Sequence, residues 1–273
     1  MPRMRVGRQH YTAKEVKQKL GITQGELNTF IRNGTLKPEV PPGKKQGVYK
    51  RIDVDQLVRE RQAFMSISQK TSSKFSRATK EDVKATVKVT RVLFGLRDSE
   101  EATEARRLMW LDKNPELFYV LKSEEQVVGY ALMLPLKLEK IEKILNGEEY
   151  AQEVSAEEIE DFTPGKTTHI YLVAAGIIPG VSHYEKRSYG ARLIAGMMKV
   201  IVDLGKRGIV IETLAARSDT PDGIRLLKQG FTEIPTITYA RNFIINVKES
   251  GIPFVQEYKQ ALRESGKMPP DWN

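Results

Sequence analysis

The feature that most constrains this 273-residue chain is an alternation of strands and helices between His169 and Phe231. The apolar run Ile170–Ile178 is too short to span a membrane and rich enough in β-forming residues to predict a buried strand. Pro179 and Gly180 end this strand. A long apolar helix, another strand and a short helix follow. This order predicts an α/β domain.

The loop after the predicted strand closes on residues 187–191, and the apolar helix is predicted to begin there. Unpaired backbone amides and the helix dipole both favour an anion at such a turn. Lys186, Arg187 and Arg192 add positive charge around it. The sequence therefore predicts an anion-binding site at the start of this helix.

These residues resemble the acetyl-CoA-binding core of the GNAT superfamily of N-acetyltransferases. The family signature is Gln or Arg, two residues, Gly, one residue, then Gly or Ala, and Glu185, Ser188 and Gly190 occupy its positions here. The hairpin in residues 116–134 and the strand in residues 209–216 fit the family order. The resemblance covers about residues 80–250 and implies a mixed sheet flanked by helices, with acetyl-CoA or another acyl-CoA as cofactor.

The resemblance also implies which residues bind the cofactor and which act on the acceptor amine. Expected cofactor contacts are Ile177, Ile178, Lys186, Arg187, Ser188, Tyr189, Gly190, Ala191, Arg192 and Ser218. A backbone amide near Ile177 or Ile178 would stabilise the oxyanion. Tyr171 occupies the position of the family's basic carboxylate, with His169 on the same strand face. Leu226 occupies the position at which many members have a tyrosine that protonates the departing thiolate. Glu212, Ser218 and Tyr239 are possible general acids in its place.

Composition excludes several other chemistries. The chain has no cysteine, so disulfides, thiolate ligands and a cysteine nucleophile are excluded. Its three histidines have no metal-ligand spacing, and we expect no metal site. The N-terminus is charged and polar, without a signal peptide or membrane span. We therefore expect a cytoplasmic, nucleoid-associated protein that does not bind a membrane.

Charge divides the chain into two parts. Residues 1–80 contain 18 Lys and Arg against 6 Asp and Glu, a net charge of +12, whereas the remaining residues have a net charge of −3. Such asymmetry indicates a polyanion-binding module joined to an ordinary domain.

Two capping boxes close together, Thr12 to Glu15 and Thr23 to Glu26, predict a helix-turn-helix. A basic hairpin, residues 36–51, follows as a wing. The pattern resembles MerR-type and excisionase-like winged helix-turn-helix domains over about residues 10–64. The expected DNA-contacting residues are Gln24, Asn28, Thr29, Arg32, Lys44, Lys45, Tyr49, Lys50 and Arg51. A protein-docking role for this motif remains an alternative.

The predicted organisation is a winged helix-turn-helix in residues 1–65, a linker in 66–79, and a GNAT-like domain in 80–273 with a helical insertion at about 137–165. Two functions remain open. The first is an N-acetyltransferase tethered to duplex DNA or tRNA, with a protein, an aminoacyl-tRNA or a small molecule as acceptor. The second is a DNA-binding regulator whose catalytically weak GNAT-like domain senses acetyl-CoA or forms a homodimer.

Overall fold

The chain forms two compact units, Met1–Ser72 and Ser73–Asn273. The structure, a computed structural model, describes residues 9–20, 22, 24–32, 35–43, 47–59, 73–95, 97–236 and 240–272. The fold is mixed α/β, with a small helix-turn-helix unit before a large mixed sheet flanked by helices, as the sequence predicts.

The N-terminal unit combines short helices with a three-stranded antiparallel sheet in the order β1-β3-β2. Its elements are β1 (His10–Thr12), α1 (Ala13–Leu20), α2 (Gln24–Arg32), β2 (Pro38–Glu39), β3 (Val48–Lys50) and a helical segment α3 in residues 51–59. The first predicted capping box is confirmed, because the Thr12 amide donates to Glu15 Oε2 and the Glu15 amide donates to Thr12 Oγ1. The predicted wing is the hairpin of β2 and β3.

A single small core holds this unit together. Val16 and Leu20 on α1 pack with Leu27 on α2, Tyr49 on β3 and Val54 on α3. The spacing of these apolar residues along α1 is the i, i+4 spacing of one helix face. On α2, Leu27 faces this core, and Gln24, Asn28 and Arg32 lie on the exposed side of the helix.

The larger unit is built on a seven-stranded sheet in the order β4-β5-β6-β7-β8-β10-β9. Its strands are β4 (Ser73–Arg77), β5 (Phe118–Ser123), β6 (Gln126–Leu136), β7 (Thr167–Ile177), β8 (Val210–Ser218), β9 (Thr232–Ile234) and β10 (Arg241–Asn246). Neighbouring strands are antiparallel except β7 and β8, which are parallel. β4 comprises residues 73–77, so this part of the expected 66–79 linker instead pairs with β5 as a sheet edge.

Helices cover both faces of the sheet. They are α4 (Lys80–Phe94), α5 (Glu100–Lys113), α6 (Leu138–Asn146), α7 (His183–Lys206), α8 (Pro221–Leu227) and α9 (Pro253–Glu264). The first core lies under α7 and α9, where Leu193, Ile201 and Tyr258 are buried. The second core lies on the other face and includes Trp110 of α5 and Ile144 of α6.

The alternation of β7 side chains between the two faces of the sheet is interrupted in the middle of the strand. Met133 pairs with Leu172 and Leu132 pairs with Ala174, so Val173 is an extra residue on this strand, a β-bulge. Leu172 packs against the first core and Val173 against the second. Ala174 also packs against the second core, so the alternation of faces is reversed beyond the bulge.

The predicted helical insertion lies between β6 and β7. It contains α6 and two 3-10 turns, Ala151–Glu153 and Ala156–Glu158. Ile141, Ile144 and Leu145 bury one face of α6 in the second core. The Ser155 amide donates to Glu158 Oε2, which caps the second of these turns. The insertion is thus an integral wall of the domain.

Candidate functional sites

The parallel strands β7 and β8 separate towards their carboxyl ends. They pair from Thr167 opposite Val210 to Leu172 opposite Ala216. Beyond Leu172, β7 continues to Ile177 along β6, while β8 continues to Ser218 along β10. The separation leaves a fork between the two strands, and no described strand pairs with β7 on its side of the fork, which is therefore a strand edge.

The register shows which backbone groups face this fork. The Ile178 amide donates to the Val128 carbonyl, so this pair is hydrogen-bonded. Bonded and non-bonded pairs alternate along an antiparallel ladder. The amides of Ala175 and Ile177 therefore point away from β6, towards the fork. Of the two amides expected as oxyanion donors, that of Ile178 is already used in the sheet and that of Ile177 faces the fork.

Helix α7 begins earlier than the sequence analysis expects. It starts at His183, because Ser182 and Glu185 form a capping box in which the Ser182 amide donates to Glu185 Oε2. Ser188, Tyr189, Gly190 and Ala191 therefore lie inside the helix, where backbone amides bond to carbonyls four residues earlier. The expected anion-binding turn at residues 187–191 is wrong, since amides that are bonded within the helix are not available to a phosphate.

The basic residues expected near the phosphates have different neighbours. Lys186 Nζ lies 3.0 Å from Asp222 Oδ2 on α8. Arg192 Nη1 donates to Ser73 Oγ on β4, at the far edge of the sheet, which removes Arg192 from the fork. Arg187 is exposed. Before the helix, Gly180 has a φ of 85° and open space where a Cβ would be.

A cavity of about 460 Å³ opens beside the fork. Tyr171, Val173 and Ala174 of β7 line one side, and Arg217 and Ser218 of β8 line another. Helices α4 and α5 and the insertion complete its walls. This volume lies within the range of small-molecule sites, roughly 300–1,000 Å³. The fork and the cavity together form the candidate active site.

Among the described residues expected to act in catalysis, Tyr171 and Ser218 line this cavity, and Tyr171 lies in the middle of β7. It is buried, and burial raises the pKa of its phenol to about 12. The phenol therefore keeps its proton at neutral pH and can donate a hydrogen bond. A role as general base, which the sequence analysis considered for this position, does not fit such a pKa.

His169 and Glu212 lie away from the fork, at the opposite end of the parallel pair. His169 Nε2 and Glu212 Oε2 are 3.9 Å apart. His169 precedes Ala175 by six residues, or about 20 Å along a strand. Burial lowers the pKa of His169 despite the nearby carboxylates. Tyr239 lies outside the described residues.

Arg107 is a cavity residue that the sequence analysis did not identify. It lies on α5, is 5 % exposed, and its Nη1 and Nη2 donate to Thr86 Oγ1 and Thr90 Oγ1 on α4. Its guanidinium carbon lies 5.3 Å from the centre of the Tyr130 ring. These contacts join two helices to β6 over long sequence separations, and no local motif marks them.

In the N-terminal unit, three of the expected DNA-contacting residues share an exposed helix face. Gln24, Asn28 and Arg32 are four residues apart along α2 and exposed, and Gln24 Nε2 donates to Asn28 Oδ1. The Thr29 side chain, Lys44 and Lys45 lie outside the described part. A helix face of this kind, after a short turn, can enter the major groove.

Three wing residues differ in their surroundings. Tyr49 is 4 % exposed and belongs to the core, so it cannot contact DNA as expected. Lys50 is exposed, and its Nζ lies 3.0 Å from Glu39 Oε1. The Arg51 guanidinium carbon stacks 4.6 Å from the centre of the Tyr11 ring, which holds this side chain half-buried.

Residues 11–63 match a family model described as MerR HTH family regulatory protein. The match covers less than half of the chain and bears out the helix-turn-helix expected for this segment. A search of curated proteins finds no significant match to this chain.

Several solved structures are similar to the chain. Naa50 of Arabidopsis thaliana, in complex with a bisubstrate analogue, has 12% identity and a TM-score of 0.42 over 64% of this chain and 98% of its own. The ribosomal-protein-S18-alanine N-acetyltransferase of Escherichia coli has 14% identity and a TM-score of 0.38 over 63% and 90%. A GNAT-like decarboxylase, GphF, in complex with isobutyryl-CoA has 15% identity and a TM-score of 0.45 over 63% and 98%. At such values neither activity nor substrate transfers to this chain.

No described helix is long and apolar enough to cross a membrane. No group of three or more described His, Cys, Asp and Glu side chains could hold a metal ion.

Proposed function

We propose that the larger unit is an acyl-CoA-dependent N-acyltransferase, and the fork between β7 and β8 is the observation that carries this proposal. The edge amides of Ala175 and Ile177 face an opening beside a small-molecule cavity. A free strand edge binds extended chains through backbone hydrogen bonds. The pantetheine arm of CoA is such a chain, since it contains two amide groups. The donor set therefore fits this cofactor.

The phosphates of CoA would lie beyond the end of β7. Gly180 leaves room for close approach, and Lys186 and Arg187 are exposed near the start of α7. The helix amides themselves are less suitable than the sequence analysis expects, because Glu185 already places a carboxylate at this helix end. Side chains, rather than a glycine turn, would hold the pyrophosphate.

When bound, the cofactor would supply an acyl thioester at the fork. The Ile177 amide is placed to donate to an oxygen that gains negative charge there, and preorganised donors of this kind lower the barrier of acyl transfer. The protonated Tyr171 phenol lines the cavity and would donate a hydrogen bond to a group bound there. The acceptor amine would enter through the cavity and attack as the neutral amine.

A proline substitution tests the fork directly. Ala175→Pro removes an amide that faces the fork and leaves the bonds between β6 and β7 in place. We expect CoA binding in calorimetry to weaken at least about tenfold, while Ala175→Gly, which keeps the amide, retains it. Undiminished affinity in a folded Ala175→Pro variant would exclude this location. Release of CoA thiol in the presence of amines measures the transfer itself, and the absence of cysteine removes any protein background.

The N-terminal unit supports a second proposed activity, the binding of duplex DNA through α2 and the wing. The supporting observations are the exposed face of Gln24, Asn28 and Arg32 and the net charge of +12 in residues 1–80. The two proposals are compatible with an enzyme held on DNA. They are equally compatible with a regulator that binds acyl-CoA without turnover, in which case calorimetry would show binding and the thiol assay would show no release.

A further inference from the structure

Arg107 is a buried cation whose described partners are all neutral. Its guanidinium bonds to the hydroxyls of Thr86 and Thr90, at 2.9 and 2.7 Å, and lies over the ring of Tyr130. No carboxylate of the described residues forms an ion pair with it. A buried charge is costly without an opposite charge beside it.

The two threonine hydroxyls are fixed as acceptors for this guanidinium. Thr86 Oγ1 donates its own proton to the Val83 carbonyl, and Thr90 Oγ1 donates to the Thr86 carbonyl. Their lone pairs therefore orient the Arg107 guanidinium without neutralising its charge. This arrangement holds a cation rigidly at the wall of the cavity, which Arg107 and Thr90 both line.

The acidic residues at the cavity wall are mostly engaged elsewhere. Asp98 pairs with Arg106, and Glu149 pairs with Lys140 and, at 3.3 Å, with Lys143. Neither carboxylate is therefore available to Arg107. Asp219 also lines the cavity but forms no ion pair with Arg107, so Arg107 keeps an uncompensated positive charge beside apolar walls that include Trp110 and Val173.

We infer that the cavity binds a small substrate through a carboxylate group held by Arg107. A guanidinium fork matches a planar carboxylate in geometry and in charge. A carboxylate carries the one negative charge that balances the Arg107 guanidinium, whereas a phosphate monoester carries about −1.5 to −2 charges at neutral pH. Since acyl transfer is itself a proposal, this inference deepens it. The carboxylate belongs to the acceptor amine or to the acyl chain of the thioester.

Binding to the full-length protein without turnover tests this inference separately from catalysis. One arm compares lysine with cadaverine and phenylalanine with phenethylamine, pairs that differ by one carboxylate. The other arm compares succinyl-CoA with acetyl-CoA. We expect the carboxylate form to bind at least about tenfold more tightly in one arm, about 1.4 kcal/mol. The arm that shows the preference identifies the molecule that carries the group.

Variants assign the preference to Arg107. Arg107→Met should abolish the preference for the carboxylate form, whereas Arg91→Met, on an exposed arginine outside the cavity, should preserve it. Arg107→Lys keeps the positive charge but lacks the planar guanidinium. If Arg107→Met does not fold, Arg107→Lys should fold and show a reduced preference for the carboxylate form. Equal binding of both members in every pair would overturn the inference. So would tighter binding of phosphoethanolamine than of lysine, or an unchanged preference in folded Arg107→Met. If a carboxylate binds but no thiol is released, the proposed function fails and this inference stands.

Discussion

Lys186 Nζ lies 3.0 Å from Asp222 Oδ2, so an ion pair joins the first turn of α7 to the first turn of α8. Lys186 holds the pKa of the Asp222 carboxyl below its usual value. Both residues are exposed, and the pair is correspondingly weak. It nevertheless occupies the lysine that we assign to the cofactor phosphates.

Replacing Asp222 should therefore strengthen CoA binding. Asp222→Asn releases Lys186 and removes a negative charge near the expected pyrophosphate. We expect about a two- to fivefold gain in affinity, consistent with an exposed pair of at most about 1 kcal/mol. The gain should shrink at high salt because the charges are screened. Calorimetry at two salt concentrations measures it, and weaker binding by Asp222→Asn would contradict the assignment of Lys186.

Gly190 lies inside α7 with open space around its Cα. Gly190→Ala should stabilise the protein by about 0.5–1 kcal/mol, because alanine loses less backbone entropy in a helix. CoA affinity should not change. Gly196→Ala on the same helix is the control with the opposite expected sign, since its Cβ would lie 2.5 Å from Phe75 Cγ. Urea unfolding compares the two variants, and lost CoA binding in Gly190→Ala would restore the glycine turn as the phosphate site.

Tyr258 fastens α9 to the start of β8. Its hydroxyl accepts from the Ile211 amide at 2.5 Å and donates to the Ile209 carbonyl at 2.8 Å. Tyr258→Phe leaves the buried amide without its acceptor, which should cost about 1–3 kcal/mol of unfolding free energy. Tyr150→Phe, at an exposed ring, should change stability by less than about 0.5 kcal/mol. Equal stability of the two variants would contradict the role of this hydroxyl.

His169 should make stability depend on pH. Burial lowers its pKa in the folded state, with Glu212 among the groups that oppose the shift. Below the unfolded pKa of about 6.5, the unfolded chain therefore binds a proton more readily than the folded chain. This contribution is favourable above that pH and is lost as pH falls towards the folded pKa. His169→Gln should flatten the decline of the melting temperature between pH 7 and 5, and identical declines would refute this account.

DNA binding should depend steeply on salt. Each phosphate contact contributes roughly 0.9 to the slope of log affinity against log salt. If all five basic residues expected to contact DNA bind phosphates, the slope should be about −4 to −5. These residues are Arg32, Lys44, Lys45, Lys50 and Arg51. Lys44→Ala with Lys45→Ala should flatten the slope without changing sequence preference. Arg32→Ala should relax preference by about 1–3 kcal/mol if it contacts a base edge. Mobility-shift titrations of the full chain test this, and salt-independent behaviour would favour protein docking.

Local patterns in the sequence predicted much of the fold. The apolar run at residues 170–178 became β7, and the Thr12 to Glu15 capping box begins α1. The start of α7 differs from the prediction: Gly190 favours a turn by residue type, but Ser182 and Glu185 form the capping box that begins the helix at His183.

The remaining features depend on contacts that no local pattern records. Arg107 and Tyr130 meet only once α5 packs on β6. The bulge at Val173 depends on the register between two strands, and an apolar run of similar residues does not reveal it. The burial of Tyr49 likewise follows from packing, because an aromatic residue in a basic hairpin is compatible with either face.

The phase change at Val173 makes β7 two segments with opposite inside and outside patterns. Residues 167–172 follow one alternation, and residues 174–177 follow the other. Deleting Val173 itself would restore a uniform ladder in which Leu172 and Ala174 keep their partners and their cores, whereas deleting one residue elsewhere in β7 would turn the side chains between that position and the bulge to the wrong core. A redesign of this strand, or its alignment with a strand that lacks the extra residue, must therefore place a gap at Val173 and assign the inward-facing positions separately in each half.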